Sequence, residues 1–321
     1  MRAFLKTVLI ILPIISFSEC KKEVPPTVPY FNITFVTAAG MKCYATISDE
    51  GGASITERGF VWKTEQETDY QNSKTAFENN LNYFETIILG VSPGTTYLVK
   101  AYATNLEGTG YSAEKEITTS GAGTFTDSRD DKTYIWVEIG KLIWMAENLA
   151  YLPYVSSFTS DTGIFVYDYE GSSVDAAKNQ EEYRTYGCLY SWEISLQICP
   201  DGWRLPSYDD WRDLESSLGF AHWTTNQGGA YLKEVGKSHW LYNTVANNCT
   251  LFSALPAGYH RHEWDHYYLD TYFHDLGRCT GFWSSSLIPD PMVVKLNDHP
   301  SLYIENNSGD YGYSVRCVKD N

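Results

Sequence analysis

The sequence predicts a β-sandwich N-terminal domain followed by an α+β C-terminal domain, and three observations support that reading. Residues 27 to 119 lack helical periodicity and place apolar residues at every second position, the pattern of half-buried strands. Composition then changes, because nine of the ten tryptophans and all seven histidines lie after residue 121. Cys199 to Leu214, Cys-Pro-Asp-Gly-Trp-Arg-Leu-Pro-Ser-Tyr-Asp-Asp-Trp-Arg-Asp-Leu, reads as a short strand handing over to a helix. Trp203 to Leu205 form the strand, Pro206 ends it for want of an amide donor, and Ser207 stands where an N-cap belongs. Asp209 and Asp210 then face the positive helix end, and Trp211 and Leu214 share one face, so Trp203 and Trp211 are expected to form a common core around this turn.

At the start of the chain, Arg2 and Lys6 precede an apolar run from Val8 to Ile15, too short to span a bilayer and of the length of a secretory signal core. Residues 1 to 20 are read as a lipoprotein signal peptide. Cys20 lies where bacterial lipoproteins are cleaved and acylated, with Phe17 and Glu19 departing from the usual lipobox residues, and residues 21 to 26 read as a tether. Ordinary cleavage nearby, leaving Cys20 unacylated, is the alternative. Removing Arg2, Lys6 and Glu19 with the signal moves the net charge from −16 to −17. A surface that negative repels phosphate backbones and anionic headgroups, so no nucleic-acid partner is expected and the membrane is reached through the lipid alone. The expected location is the outer membrane, on its periplasmic or its outer face.

With 321 residues, 43% of them hydrophobic and 15% aromatic, the chain can fill two packed cores. The runs Met41 to Ile47, Arg58 to Lys63 and Tyr97 to Ala103 alternate between Gly, Asp, Asn or Pro punctuation, as sandwich strands do. Leu89 to Asn105, with its Pro93-Gly94-Thr95-Thr96-Tyr97 turn, and Gly108 to Ala113 resemble a fibronectin type III domain over residues 27 to 119. That resemblance implies a spacer more than a ligand site. Cys43 reads as a small buried core residue. Residues 120 to 124 read as a flexible linker of small residues. Beyond it, strands are expected near Thr133 to Val137, Lys141 to Met145, Leu251 to Ala254, Gly281 to Ser285, Met292 to Leu296 and Tyr313 to Val318. Helices are expected near Gly187 to Gln197 and after Ser207.

A second resemblance rests on a series of short runs: Phe125-Thr126-Asp127 with Arg129-Asp130, Trp144-Met145-Ala146-Glu147-Asn148-Leu149, Tyr186-Gly187-Cys188-Leu189-Tyr190-Ser191-Trp192, and Cys199-Pro-Asp-Gly-Trp-Arg-Leu-Pro206. It continues through Phe252-Ser-Ala-Leu-Pro-Ala-Gly258, Trp283-Ser-Ser285 and Ser314-Val-Arg-Cys-Val-Lys-Asp320. In this order the runs resemble the Fibrobacter succinogenes major paralogous domain over residues 125 to 321. That family is similar to C-type-lectin-like folds, so the resemblance implies a C-type-lectin-like C-terminal domain.

Five cysteines fall in this domain, at 188, 199, 249, 279 and 317, so an odd number forbids complete internal pairing. The lectin-like resemblance implies a bridge from Cys199 to Cys317, with Cys249 to Cys279 as a second pair and Cys188 free. Closing a loop of more than 100 residues would contribute on the order of 4 kcal/mol in the chain-entropy model.

His262-Glu263-Trp264-Asp265-His266 matches the His-Glu-x-x-His pattern of zinc hydrolases, in which helical i and i+4 imidazoles hold the metal and the glutamate is the base. Here it lies between Gly258 and a β-prone aromatic run, and Leu269 and Tyr272 stand where the extended pattern wants Gly and His. An exposed histidine-rich loop is the preferred reading, and the zinc hydrolase is kept as the alternative function. Ile288-Pro289-Asp290 and Leu296-Asn297-Asp298 faintly echo calcium and sugar motifs of C-type lectins but lack the leading amide or acid and the tryptophan, so an acidic turn is expected. The Gly-Trp-Arg-Leu-Pro element is also similar to formylglycine-generating enzymes, which would require reactive or copper-binding cysteines where Val315-Arg-Cys-Val318 supplies one. No catalytic residue, metal ligand or cofactor is assigned, and the chain is read as a non-enzyme.

What remains is an aromatic surface. Gly258 to Gly277 holds Tyr259, Trp264, Tyr267, Tyr268 and Tyr272 among four histidines, where lectin-like folds place a variable long loop. Aromatic rings stack on sugars or anchor protein partners, while alternate ones in a strand pack inward. The expected function is an exported cell-envelope lipoprotein whose head binds a glycan or a cell-surface protein in adhesion or recognition. Metabolic labelling with an acyl analogue should mark the wild-type chain and fail on Cys20→Ala; equal labelling of both would refute the anchor.

Overall fold

Alternation in the first domain resolves into two antiparallel sheets. The computed structural model describes residues 22–74, 82–219, 228–243, 245–264 and 270–321, so Cys20 lies outside the described residues. The strands are β1 (Tyr30–Val36), β2 (Gly40–Thr46), β3 (Glu57–Thr64), β4 (Gln71–Lys74), β5 (Tyr83–Leu89), β6 (Thr96–Asn105), β7 (Gly108–Tyr111) and β8 (Lys115–Thr118). One sheet has the order β1-β2-β5; the other has β4-β3-β6-β7, with β8 pairing the first half of β6. Met41, Cys43 and Ala45 on β2 face Phe60, Val99 and Ala101 across the sandwich core. The Pro-Gly-Thr-Thr-Tyr turn delivers Tyr97 to a tyrosine corner, its hydroxyl accepting the Ser92 amide at 2.9 Å.

Two segments expected to be loose are pinned. In the tether, the Val24 amide donates to Gly51 O at 2.9 Å, and Asn105 Nδ2 donates to Val24 O at 2.7 Å. Gly51, at φ 78°, leaves room for this crossing, since a Cβ there would sit 1.8 Å from Val24 O. In the expected linker, Ala122 to Thr124 belong to a strand and pair with Ile135 to Val137. Backbone hydrogen bonding overrides the small side chains that made the segment read as flexible.

The second domain contains β9 (Ala122–Asp127), β10 (Lys132–Ile139), β11 (Leu142–Met145), β12 (Ile164–Phe165), β13 (Leu189–Ser191), β14 (Tyr259–Trp264), β15 (Asp270–His274), β16 (Thr280–Leu287), β17 (Pro291–Leu296), β18 (Leu302–Asn306), β19 (Gly312–Tyr313) and β20 (Val318–Asp320). Its helices are α1 (Val174–Lys178), α2 (Glu181–Tyr186), α3 (Trp192–Ser195), α4 (Tyr208–Ser217) and α5 (Gly228–Leu232). Sheets of order β20-β11-β10-β9, β12-β13-β19-β14-β15 and β16-β17-β18 make the domain mostly β, with α4 its longest described helix.

Ser207 caps α4 as expected: its hydroxyl accepts the Asp210 amide at 3.2 Å while Asp210 Oδ2 accepts the Ser207 amide at 2.7 Å, a reciprocal capping box. Trp203 and Trp211 do not share a core, however. Trp203 stacks on Phe125 at 4.3 Å beside a cluster around Tyr190, Trp283 and Tyr313, whereas Trp211 packs on Trp144 at 4.6 Å in a second cluster. The expected helix at 187–197 is also corrected. Gly187, at φ 73°, ends α2, and the buried residues Leu189 to Ser191 pair with β12 and β19 before the four-residue α3 begins. A short apolar run suits a helix or a two-sided strand equally, and tertiary pairing decided for the strand.

The two domains share a core. Phe35 of β1 lies in the Trp144 and Trp211 cluster and packs on Tyr231 at 5.4 Å, while the Thr37 hydroxyl and the Ala39 amide donate to Cys249 O at 2.6 and 2.9 Å. Gly40 closes this junction, because a Cβ there would sit 2.7 Å from Cys249 Cβ. Wild type should therefore melt in one cooperative transition, and Gly40→Val, by overpacking at a cost of about 1–3 kcal/mol, should split it into two. A single unshifted transition for the variant in calorimetry would contradict a shared core.

Candidate functional site

The family-like runs meet on the closing segment of the chain. Ser314 O accepts from the Trp283 amide, Val315 O from Leu149 at 2.9 Å and Cys317 O from Met145 at 3.0 Å, and Val318 exchanges two hydrogen bonds with Arg204 at 2.8 Å. Cys199 and Cys317, 118 residues apart, are disulfide-bonded. Between these contacts sits Arg316, 1% exposed. Its Nε donates to Asn148 Oδ1 at 3.0 Å, Nη1 to Phe252 O and Nη2 to Ser253 O at 3.0 Å, with the guanidinium 4.2 Å from the Phe252 ring centroid. Burial pushes its pKa down to about 9, opposed by Glu147, so it remains charged at neutral pH. This arrangement replaces the strand expected at Leu251 to Ala254. Leu251 and Ser253 take φ of 59° and 53°, and the carbonyls of Phe252 and Ser253 turn to the cation.

The aromatic segment becomes the hairpin β14–β15. Tyr259 opposes His274 and stacks on it at 5.0 Å, and lies 5.7 Å from both Tyr311 and Tyr313. Tyr272 meets Phe158 edge-on at 5.1 Å. The backbone of Trp264 ends β14, and Tyr267 and Tyr268 lie outside the described residues. Tyr259 and Tyr272 are thus brought into one sheet and each packs partly inward, as strand alternation requires. Arg261, which sequence reasoning did not single out, lies over the Tyr311 ring at 4.4 Å and donates to its hydroxyl, and Tyr311 stacks on Tyr313 at 5.4 Å and 4°.

His262 and Glu263 stand on this strand, and His266 is outside the described residues. The helix that would place i and i+4 imidazoles side by side is replaced here by extended backbone through Trp264. At the calcium-like turn, the carbonyls of Asn297 and His299 accept from Lys233 Nζ at 2.9 and 3.0 Å. Burial lowers that ammonium to about 8, and it is the cation these oxygens hold. Cys249 and Cys279 are unbridged: Cys249 is buried against the first domain and Cys279 lies beside Asp275. Burial pushes both thiols up to about 12. Cys188 is a free, fully buried thiol.

Sequence reasoning also missed a cavity of about 250 Å³ that combines Lys132, Glu147, Arg184, Glu234, His239 and Arg316. Only Glu147 and Arg316 fall within the family-like runs, and the others come from unrelated stretches.

A disulfide-tied β domain, rigidly joined to a sandwich and presenting an aromatic edge and a polar cavity, has the build of a surface or binding module. The chain belongs to the Fibrobacter succinogenes major domain family, whose model matches residues 137–319. No curated protein matches it. Among solved structures it is similar to domains A168–A170 of titin, at 15% identity and TM-score 0.26, covering 30% of this chain and 32% of that one. It is also similar to the FN1–FN3 domains of chicken CNTN1, at 17% identity and TM-score 0.27, covering 38% and 41%, and to the twitchin kinase region of C. elegans, at 16% and 0.26, covering 34% and 20%. The chain spans less than half the length of each.

Within the hairpin, His260 is 1% exposed, stacks on Phe165 at 3.7 Å and shares its Nε2 proton with Phe158 O at 2.7 Å, leaving Nδ1 without a hydrogen-bond partner among the described residues. Burial lowers its pKa below the usual 6.5; the Phe158 carbonyl, Asp161 and Asp310 oppose this, and His274 adds to it. The unfolded chain therefore binds the proton more readily, so stability present above about 6.5 is lost as pH falls toward the folded value. His260→Phe should flatten that acid slope in denaturant titrations, and an unchanged slope would contradict a buried neutral imidazole.

Proposed function

We propose that this chain is a cell-envelope binding protein, lipid-anchored to the outer membrane at Cys20, whose C-terminal domain binds a glycan through hairpin β14–β15 and the adjoining Tyr311. The supporting observation is the stack of half-buried Arg261 and Tyr311 on the fully buried Tyr313, at 4.4 and 5.4 Å, with half-buried Tyr259 beside them. Rings fixed in this way lose little entropy on binding and offer apolar faces to the C–H side of a sugar, while Arg261 offers hydrogen bonds to its hydroxyls.

The first domain suits a spacer. Its pinned Val24 leaves three residues after an acylated Cys20, a reach of at most ~14 Å at ~3.3–3.6 Å per residue. The ten-residue β6 then spans about 33 Å at ~3.3 Å per residue, from the tether end toward the shared core.

A glycan array probed with the full chain should give a ligand whose affinity falls at least tenfold in Trp264→Ala with Tyr267→Ala and in Arg261→Ala, with Tm held. Glu263→Gln should leave it unchanged. Undiminished glycan binding in the aromatic variants would overturn the site. Capture of a protein with an empty array would replace the ligand class, and stoichiometric zinc with peptide cleavage lost in Glu263→Gln would replace the function.

A further inference from the structure

The geometry points to a second binding site on the C-terminal domain, in the cavity floored by Arg316, which takes a small hydroxylated carboxylate of the uronic acid type. The cavity opens between the Glu147–Asn148 bend, α2, the Glu234–His239 loop and the closing segment. Neither Tyr259 nor Tyr272 lines it.

Its charges are unequally satisfied. Both carboxylates are engaged from within: Glu147 accepts the Ile135 amide at 2.6 Å, and the two Glu234 oxygens lie 3.0 and 2.9 Å from His239 Nδ1. Of the three cations, Arg316 is held by Asn148 and the Phe252 and Ser253 carbonyls, whereas Lys132 lies over the Tyr134 ring at 5.4 Å and Arg184 is exposed. Among the described residues no carboxylate forms an ion pair with Lys132, Arg184 or Arg316, and the Arg184 guanidinium bonds only Asn179 Oδ1, at 3.3 Å. Residues 125 to 321 hold 14 basic against 27 acidic residues, a net charge of −13, so a cavity lined by three cations and two carboxylates is not a sample of the surrounding surface. One anionic ligand would balance this excess of positive charge, and guanidinium groups favour a carboxylate through paired N–H donors.

The remaining lining sets the rest of the ligand. The His239 nitrogen not held by Glu234 and the Thr185 hydroxyl are available to hydroxyl groups. A volume of about 250 Å³ equals roughly eight waters at ~30 Å³ each and falls below the ~300–1,000 Å³ of drug-sized pockets. One monosaccharide-sized molecule fits such a space. A uronic acid combines that size, a single carboxylate and several hydroxyls.

Calorimetric titration of the full chain with glucuronate, glucose and inorganic phosphate tests this directly. Glucuronate should bind at least tenfold more tightly than either of the others and weaken as salt rises. Lys132→Ala with Arg184→Ala, both away from the core, should lose at least tenfold in glucuronate affinity without a change in Tm, whereas Trp264→Ala with Tyr267→Ala should retain it. Equal affinity for glucose would remove the role of the cations, equal affinity for phosphate would remove the sugar, and no glucuronate binding or an unaffected double variant would overturn the site.

Discussion

Arg316 is a buried cation with no carboxylate in an ion pair with it among the described residues, and the C-terminal domain is arranged around keeping it charged. An isolated guanidinium in an apolar interior costs several kcal/mol unless its N–H groups are met. Asn148, the Phe252 and Ser253 carbonyls and the Phe252 ring meet them, bringing three distant stretches to one point. Asn148 in turn donates to Tyr186 O and the Ser314 hydroxyl. Four of the seven runs that make the family recognisable, around 148, 186, 253 and 316, are thus one hydrogen-bonded network. Their first role is to specify this packing, and the disulfide beside Arg316 fixes the same segment covalently.

That rigidity extends through the first domain. The sandwich is tied to the head by Phe35, Thr37 and Ala39 and to the chain start by Val24, so neither junction behaves as a free linker. The C-terminal domain held in this way keeps its orientation relative to the pinned start of the first domain. The hairpin aromatics and the cavity are then two features of one stiff domain.

Local devices were legible in the sequence and nonlocal ones were not. The N-cap at Ser207 and the turn before Tyr97 follow from residues within a few positions of one another, and the structure contains both, adding a reciprocal capping box and a tyrosine corner. Trp203 and Trp211 are eight positions apart yet serve different cores, because Pro206 turns the chain between them and only the distant partners Phe125 and Trp144 settle which side each takes. Arg316 stood within a recognised run, but its partners lie 168 and 64 residues away, beyond any periodicity argument. The charged residues of the cavity are scattered from 132 to 316 and carry no spacing signal at all. Residues 120–124 and 22–26 misled through composition, since small or charged side chains say nothing of where backbone amides find acceptors.

Native-state hydrogen exchange at the amides of Met145, Leu149, Trp283 and Val318, all donating to or from the closing segment, tests the organising role of that segment most directly. These amides should exchange only through global unfolding, with free energies equal to those of β17 in the core. Exchange of the four through a cheaper local opening, while β17 stays protected, would contradict it.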